Sequence, residues 1–399
     1  MEQPGLSSAK LARRLPGLDL VRAVAIAWVM VYHASLFGLV SQDSLIVRFG
    51  WMGVDLFFVL SGFLIAEQLL RPLANGQRPD YGRFFQRRAL RTLPAYLVMV
   101  GLYFAFPVLR DRPHIQPLWQ FLTFTQNFNV HPPPAKAFSH AWSLCVEEQF
   151  YLLFPLALVL IMRRPSLSKA VAAILGLLLF GMALRGYLWL HDVAETPFGV
   201  GAAANSPRYM DAIYYPTFTR LDGLLAGVAA ATIKIFRPSV WSRLIAKGDL
   251  LFGVGVVGVV VSAVFFVDQT ARFWPTVVGF PLLSLSIALV VVGASASGSI
   301  VGKWAIPGVG ALAAGSYSLY LSHKVIFHLL QNAAADLPPT LQRWELIAGL
   351  ALALVAGALL YWAVERPFLK LRDRLSGVSR SSLANKPTVA PLTVRSLTE

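Results

Sequence analysis

Long apolar runs recur from one end of the chain to the other, and each has the length needed to cross a bilayer. They fall at residues 18–40, 51–70, 92–109, 148–162, 170–190, 213–233, 250–267, 273–293, 307–331 and 345–364. Only 14% of the residues are charged, whereas a soluble domain is about a quarter charged. The pattern excludes a soluble fold and predicts an all-α integral membrane protein with about ten transmembrane helices.

Basic residues are distributed unevenly among the loops between these runs. With the N-terminus in the cytoplasm, the loops on that side hold 24 of the 35 Lys and Arg residues, and the opposite loops hold 7. Positive charge concentrates in cytoplasmic loops, so both termini are predicted to be cytoplasmic, in a multi-pass protein of the cytoplasmic (inner) membrane. The net charge of +15 is then a topology signal, and the expected partner is the lipid bilayer, not a nucleic acid.

Three segments are expected along the chain. They are a cytoplasmic N-terminal segment at 1–17, a transmembrane domain at 18–370 and a disordered cytoplasmic tail at 371–399, rich in Ser and Thr. The outer loop at 110–141 is long enough to carry function. Cys145 is the single cysteine of the chain, so neither an internal disulfide nor a cysteine-based metal cluster is expected, and no metal is predicted.

Arg22 and His33 interrupt the first run, "VRAVAIAWVMVYHAS" at 21–35. They are eleven residues apart, which is about three helical turns plus roughly 20°, so both lie on one helix face about 16 Å apart along the axis. Arg22 is predicted near the cytoplasmic surface and His33 in the outer half of the membrane. A charge at the bilayer centre costs about 2.5–3.5 kcal/mol, which favours a function. The simpler interpretation is a snorkelling arginine and a satisfied core histidine.

The second run contains "GVDLFFVLSGFLI" at 53–65 and passes from outside to inside. Asp55 is therefore predicted near the outer end, at the depth of His33, where its carboxylate could hold the imidazole in one tautomer. Asp55 could equally cap the start of the helix. Ser61 and Gly62 could form a packing site of small residues.

The third run follows a basic cluster, "RRALRTLPAYL" at 87–97. Arg87 and Arg91 share a helix face, and with Arg88 they are predicted at the cytoplasmic mouth. Arginine suits phosphate recognition, so the cluster could be a phosphate clamp. The alternative is ordinary positive-inside charge.

The fourth run is entered through "HAWSLCVEEQFYLLFP" at 140–155. Glu147 and Glu148 are predicted in the outer third of the membrane, with Trp142 at the interface, where it could simply belong to an aromatic belt. Cys145 has no activating base beside it in the sequence and is interpreted as a small core residue.

Two later runs also carry polar groups. "FTRLDGLLAG" at 218–227 contains Arg220 and Asp222, which are two residues apart and cannot face each other, so each needs a partner on another helix. "SYSLYLSHKVIF" at 316–327 places His323 in mid-helix. Carboxylates and histidines thus converge in the middle and outer half, above the arginines. They indicate a pore that takes an anionic molecule from the cytosol and ends at a histidine-centred reaction site.

The ordered set of these motifs resembles the membrane-bound acyltransferase-3 family. An Arg, ten residues and a His, followed by the blocks above and a closing "YWAVERPFL" at 361–369, match the family's order over roughly residues 15–370. Each block alone is weak, whereas the ordered set is specific. The departures are Cys145, where the family often has Ser, and Ser322, where a bulkier residue is common.

The resemblance implies an acyl-CoA-dependent O-acyltransferase. Family members move an acyl group, most often acetyl, from acyl-CoA to a hydroxyl of a carbohydrate-type acceptor at the cell envelope, such as a polysaccharide or a lipid-linked glycan. Acetyl-CoA would be the co-substrate. Some members carry an extra extracytoplasmic hydrolase-like domain, which this chain is expected to lack, so that it completes transfer alone or hands the acyl group to a separate extracytoplasmic partner.

The resemblance also implies roles for individual residues. The CoA phosphates would be held by Arg22, Arg87, Arg88 and Arg91; catalysis would use His33 as general base, oriented by Asp55 or Glu147; the substrate would contact Ser61, Trp142, Arg220, Asp222 and His323. Ser61, Trp142 and backbone amides are alternative donors to the oxyanion of the transition state.

Two other functions use the same residue types. Intramembrane His, Asp and Arg also build the proton and anion pathways of a secondary transporter or proton-coupled carrier. A non-enzymatic membrane sensor or flippase-like scaffold is the third hypothesis. No inverted repeat or pair of broken helices is visible in the sequence, which counts against the transporter.

Overall fold

The computed structural model describes a chain that is almost wholly helical. The described residues are 15–128, 136–163, 166–194, 207–267, 272–334 and 344–383, with the backbone alone for 207 and 376–383. Within these ranges the β-structure is one isolated bridge between His114 and Lys136. The prediction of an all-α fold is confirmed.

The longer helices account for nearly all of the apolar runs. In chain order they are α1 (Pro16–Leu36), α2 (Met52–Ala74), α3 (Tyr81–Ala105), α4 (Trp142–Met162), α5 (Leu167–Leu188), α6 (Asp222–Phe236), α7 (Pro238–Ala246), α8 (Gly248–Phe266), α9 (Phe280–Ser295), α10 (Val309–Ala334), α11 (Glu345–Leu360) and α12 (Arg366–Leu383). Helix α12 packs against α3, so the segment predicted as a disordered tail from 371 is helical as far as Leu383. Residues 1–14 and 384–399 lie outside the described part of the chain.

Seven helices of the described chain are long and apolar enough to cross a membrane. They are Pro16–Leu36, Met52–Ala74, Ser139–Met162, Leu167–Val193, Gly248–Phe266, Pro275–Ser295 and Glu345–Leu375. An eighth span results if α6 and α7, which meet at a bend of 111°, are taken together. The protein is therefore a multi-pass membrane protein.

The predicted count of ten spans is not confirmed, although the remaining runs are helical. Helix α3 begins with an arginine-rich turn, α6 has 15 residues, and α10 carries polar side chains through its middle. A helix of 15 residues is about 22 Å long, which is short for a bilayer core of about 30 Å. Helices α3 and α10 line the polar interior of the bundle and therefore carry polar side chains. These side chains lower the mean hydropathy of the two helices.

Helices α2 and α6 cross at the centre of the bundle with almost no space between their backbones. A Cβ atom on Gly62 would lie 2.1 Å from the carbonyl oxygen of Leu224, and one on Gly227 would lie 2.2 Å from that of Val59. The proposed packing role of Gly62 is thus observed, since only glycine permits this approach. The crossing fixes α6 against the face of α2 that carries Asp55.

Two sides of the bundle are named here by α1. The near side is the side at which α1 begins, and the far side is the side at which it ends. Arg22 lies in the second turn of α1 and His33 in its last turn, so they mark the near and far parts of the interior.

Candidate functional site

A polar cavity of about 130 Å³ opens within the near part of the bundle. Its walls come from α1, α2, α3, α4 and α10. The polar residues that line it are Arg22, Ser61, Arg88, Arg91, Thr92, Ser143, Glu147, Glu148, Tyr151, Ser316, Tyr317 and Tyr320. This near cavity combines cations, carboxylates and hydroxyls inside an otherwise apolar bundle.

Three arginines supply the positive charge of the near cavity. Arg88 and Arg91 are three residues apart on α3 and therefore share a helix face, and the Arg88 guanidinium lies over the Tyr151 ring at 4.9 Å from its centroid. Arg22 reaches the cavity from α1 and lies close enough to Arg88 and Arg91 for their charges to repel. Such a set of guanidinium groups is suited to an anion.

Arg87 is placed differently from its predicted role. The sequence paired Arg87 with Arg91 on one face, but the cavity is lined by Arg88 and Arg91. Arg87 lies outside the lining and is partly buried. A rotation of 100° per residue separates neighbouring side chains on a helix, so Arg87 and Arg88 cannot both face the same small cavity.

Glu147 is fixed inside the near cavity by two hydroxyl groups. Ser61 donates to its Oε1 at 2.9 Å and Tyr151 donates to its Oε2 at 2.7 Å. The carboxylate also interacts electrostatically with Arg88 and Arg91. Glu147 therefore lies among the arginines, and the prediction that it lies in the outer third of the membrane is wrong.

The position of Glu147 follows from the way the preceding loop is buried. Ala137, Phe138, His140 and Ala141 are all at most 3% exposed, so the chain enters α4 from inside the protein and not from its surface. Glu147 follows His140 by seven residues, which is about 10 Å along a helix. This displacement brings Glu147 and Glu148 to the depth of the arginines.

Three histidines meet beyond the far wall of the near cavity. Nδ1 of His33 lies 2.6 Å from Nε2 of His323. The His140 ring is centred 6.0 Å from that of His33 and 5.4 Å from that of His323. In the described residues this cluster does not have the arrangement of a metal site.

The hydrogen bonds of His323 determine where its proton lies. Nδ1 of His323 is 2.8 Å from the carbonyl oxygen of Leu319, and a carbonyl can only accept, so Nδ1 carries the hydrogen. In neutral His323 the other nitrogen, Nε2, therefore accepts from Nδ1–H of His33. This leaves the lone pair of His33 on Nε2, which is therefore the nitrogen of His33 that can accept a proton.

Asp55 does not hold His33, and its partner is Arg220. Arg220 Nη2 donates to Asp55 Oδ1 at 2.7 Å, and both side chains are at most 3% exposed. The Arg220 guanidinium also lies 4.1 Å from the Phe280 ring centroid and 5.3 Å from that of Trp142. A buried carboxylate needs a charged partner, and the close crossing of α2 and α6 supplies Arg220.

Asp222 belongs to a second buried pair. Arg185 donates to its two carboxylate oxygens at 2.7 and 3.0 Å, in the bidentate geometry that arginine favours. The prediction that Arg220 and Asp222 pair with other helices is thus confirmed. Neither residue lines the near cavity, nor does Trp142, so these three predicted substrate contacts lie in packed structure.

Ser143 and Tyr320 form a single layer between the near cavity and the histidines. Both line the cavity, and their side-chain oxygens are 2.6 Å apart. The Tyr320 hydroxyl donates to the carbonyl oxygen of His140 at 2.7 Å, and its ring is centred 6.0 Å from that of His323. The cavity and the cluster are therefore adjoining parts of one site.

A buried ion pair anchors the loop that carries His140. Lys324 Nζ donates to Asp111 Oδ2 at 2.7 Å and to Ser139 Oγ at 3.2 Å. The Phe138 amide donates to Asp111 Oδ1 at 3.2 Å. Burial acts to raise the pKa of Asp111, but the Lys324 ammonium and these hydrogen bonds outweigh it and lower the pKa. Asp111 therefore stays ionised at neutral pH and ties residues 138 and 139 to α10.

His140 is one of the groups of this site that the sequence did not indicate, as are Ser143 and Tyr320. The position of His140 two residues before Trp142 in "SHAWSL" predicts a loop. A histidine in an exposed loop is not buried, so its presence there does not indicate a function. The signal in the sequence is the pair of aromatic residues that flank His140, Phe138 and Trp142. In the structure the Phe138 ring lies 5.0 Å from the His140 ring between centroids.

Comparison with known proteins decides the family. The model of the acyltransferase-3 family, described as an acyltransferase domain, matches residues 15–362. The chain belongs to the acyltransferase-3 family. The near cavity and the histidine cluster both lie within this acyltransferase domain, so they are the candidate active site of an acyltransferase. No solved structure matches the chain.

Two relatives named as O-acetyltransferases show how far the similarity extends. "O-acetyltransferase OatA" of Staphylococcus aureus (strain NCTC 8325 / PS 47) is 27% identical over 336 residues, covering 79% of this chain and 51% of the relative. "Putative peptidoglycan O-acetyltransferase YrhL" of Bacillus subtilis (strain 168) is 28% identical over 383 residues, covering 89% of this chain and 55% of the relative. The chain thus spans about half the length of the curated relatives that it matches.

Proposed function

We propose that this acyltransferase moves an acetyl group from acetyl-CoA to a hydroxyl of a carbohydrate acceptor at the cell envelope. The observation that carries the proposal is the adjacency of the two parts of the site. An arginine-lined cavity suited to an anionic donor is separated by one layer, Ser143 and Tyr320, from a histidine whose free nitrogen is a base. In this proposal the near side faces the cytoplasm, where CoA is found.

The near cavity would hold the donor. Arg22, Arg88 and Arg91 would bind the phosphates of CoA as charge-assisted hydrogen-bond donors. Arg87, which lies outside the cavity lining, would contribute positive charge near the start of α3. The thioester would then extend toward the layer of Ser143 and Tyr320. Arg22 and His33 are about 16 Å apart along α1, a distance that an extended pantetheine arm spans. Glu147 and Glu148 would balance the arginine charges when the cavity is empty.

His33 would supply the base. Its Nε2 takes the proton of the acceptor hydroxyl as the hydroxyl oxygen attacks the thioester carbonyl carbon. The C–S bond breaks, the acetyl ester forms, and the proton passes from His33 to the departing CoA sulfur. His323, held by the Leu319 carbonyl, would keep His33 in the required tautomer and would stabilise its charged form. It replaces Asp55 and Glu147 in that role.

The acceptor would approach from the far side. A pocket of about 300 Å³ opens there, lined by Pro107, Arg110, Asp111, Arg112, Pro113 and His328. Its Asp111 contacts Lys324, which follows His323 in the chain. The name of one relative, "Putative peptidoglycan O-acetyltransferase YrhL", supports a cell-wall glycan as the acceptor; a lipid-linked glycan is the alternative. A separate extracytoplasmic protein is the alternative first recipient of the acetyl group in this proposal.

Removal of Arg88 tests the donor site. In proteoliposomes supplied with labelled acetyl-CoA and a soluble glycan, Arg88→Ala is expected to raise KM for acetyl-CoA by about 10- to 150-fold, because a hydrogen bond to a charged group contributes about 1.5–3 kcal/mol. Arg163→Ala, at an exposed near-side position, should leave KM unchanged. Transfer with an unaltered KM in Arg88→Ala would contradict the donor site. Uptake of the glycan without acetylation by the unmodified protein would support the transporter instead.

A further inference from the structure

The reaction proposed above requires a group that the residues assigned so far do not provide. When a hydroxyl attacks a thioester, negative charge develops on the carbonyl oxygen, and a hydrogen-bond donor aimed at that oxygen lowers the barrier. Around the histidine cluster most donors are already engaged. His33 donates to His323, Ser61 to Glu147, Tyr320 to the His140 carbonyl, and Lys324 to Asp111.

His140 is the exception among the buried polar groups of the cluster. The residue is 3% exposed, and neither Nδ1 nor Nε2 makes a hydrogen bond within the described chain. The peptide oxygens of Tyr320 and Leu321 lie near the ring but outside hydrogen-bonding geometry. A neutral imidazole always carries one N–H, so the fold buries an unused donor.

The surroundings of His140 hold its ring in one orientation. Tyr320 binds its backbone carbonyl at 2.7 Å, and the ring meets those of Phe138 and Tyr320 edge-on at 5.0 and 5.5 Å between centroids. The Lys324–Asp111 pair fixes the two preceding residues. A donor that is rigid before the substrate arrives requires no reorganisation during the reaction.

An unpaired buried donor is costly, and proteins rarely keep one without a use. Leaving such a group unsatisfied destabilises the fold, whereas an apolar residue of similar size would not. The His140 ring is 6.0 Å from the His33 ring, centre to centre. This distance leaves the His140 N–H within reach of the carbonyl oxygen of an acyl group attacked beside His33.

We propose that His140 is a catalytic residue that donates its ring N–H to the acyl carbonyl oxygen of the donor and stabilises the oxyanion of the transition state. This inference rests on the proposed acetyl transfer. His140 donates but does not lose its proton, so His33 remains the base and the proton path to the CoA sulfur is unchanged.

Kinetics of His140→Leu in proteoliposomes provide the first test. The expected result is a fall in kcat of about 10²- to 10³-fold, the usual effect of removing one oxyanion donor, with KM for acetyl-CoA unchanged. The thermal unfolding temperature in detergent should stay the same or rise, because a buried unsatisfied group has been removed. His191→Leu, an exposed histidine beyond the end of α5, is the matched control and should behave as the unmodified protein.

Amide variants keep the test decisive if His140→Leu does not fold. The N–H of Gln can stand in for Nε2–H, and that of Asn for Nδ1–H. One of His140→Gln and His140→Asn is therefore expected to retain at least ten times the kcat of His140→Leu, or to be active where His140→Leu is unfolded. Wild-type kcat in His140→Leu would overturn the proposal, as would two folded amide variants with no activity.

Infrared spectroscopy separates this inference from the proposed function. With ¹³C-labelled acetyl-CoA bound to His33→Ala in the absence of an acceptor, so that no transfer occurs, the carbonyl band should shift to lower frequency. The variant His33→Ala/His140→Leu should lose that shift. Binding with the same band in both proteins would overturn the role of His140 and leave the acetyl-CoA site intact. Failure of acetyl-CoA to bind the unmodified protein would overturn the proposed function itself.

Discussion

Replacement of His33 by alanine is expected to lower the rate of acetyl transfer by about 10²- to 10⁴-fold, the usual contribution of general base catalysis. The variant removes the lone pair on Nε2 and also the hydrogen bond to His323. It leaves Arg22, Arg88 and Arg91 in place, so KM for acetyl-CoA should not change. The measurement is the initial rate of acetylation of the glycan in proteoliposomes.

His323→Leu is the companion variant for His33→Ala. It keeps the base but removes the contact through which the Leu319 carbonyl sets the tautomer. We expect a smaller loss of rate than in His33→Ala, and no further loss when the two changes are combined, since residues that act as a unit are not additive. Full acetylation by His33→Ala would contradict the assignment of the base.

Replacement of Asp55 by alanine is expected to destabilise the protein by about 3–5 kcal/mol, the cost of leaving one partner of a buried ion pair without its counter-charge. Arg220 would be left at 1% exposure among Phe280, Tyr214 and Trp142, without its carboxylate. The effect should appear as a lower unfolding temperature of the detergent-solubilised protein, with loss of activity as a consequence of unfolding.

A double variant distinguishes the ion pair from other causes. Asp55→Leu with Arg220→Met removes both charges and should recover most of the stability lost in either single variant. Arg71→Ala, which removes an exposed arginine that pairs with Glu67, should cost only about 0–1 kcal/mol. If Asp55→Ala unfolds at the temperature of the unmodified protein while remaining inactive, then Asp55 has a catalytic role and the structural assignment fails.

The sequence was most informative about features that depend on nearby residues. Apolar runs predicted the helices, and helical spacing predicted that Arg22 and His33 share one face. The carboxylates were harder because their depth was counted from the predicted start of a span. Burial of residues 137–141 moved that start inward and carried Glu147 to the arginines. Hydropathy does not distinguish a buried loop from an exposed loop when the two have similar compositions.

Partner choice was the other feature that the sequence did not determine. His33 and His323 are 290 residues apart in the chain, and Asp55 and Arg220 are 165 apart. Asp55 lies at a plausible depth for His33, and only the contact between α2 and α6 shows that Arg220 is its partner. The same packing explains why Trp142, Arg220 and Asp222 stabilise the fold and do not line the cavity.

The layer formed by Ser143 and Tyr320 has an electrical consequence. In the proposed orientation it separates a cavity reached from the cytoplasm from a cluster reached from outside, so much of the membrane potential falls across a few ångströms. One elementary charge carried through 100 mV changes free energy by about 2.3 kcal/mol. A neutral acetyl group crosses this layer without electrical work, while the CoA phosphates remain behind it. The cell could therefore modify its outer surface at a cost that is independent of how strongly the membrane is energised.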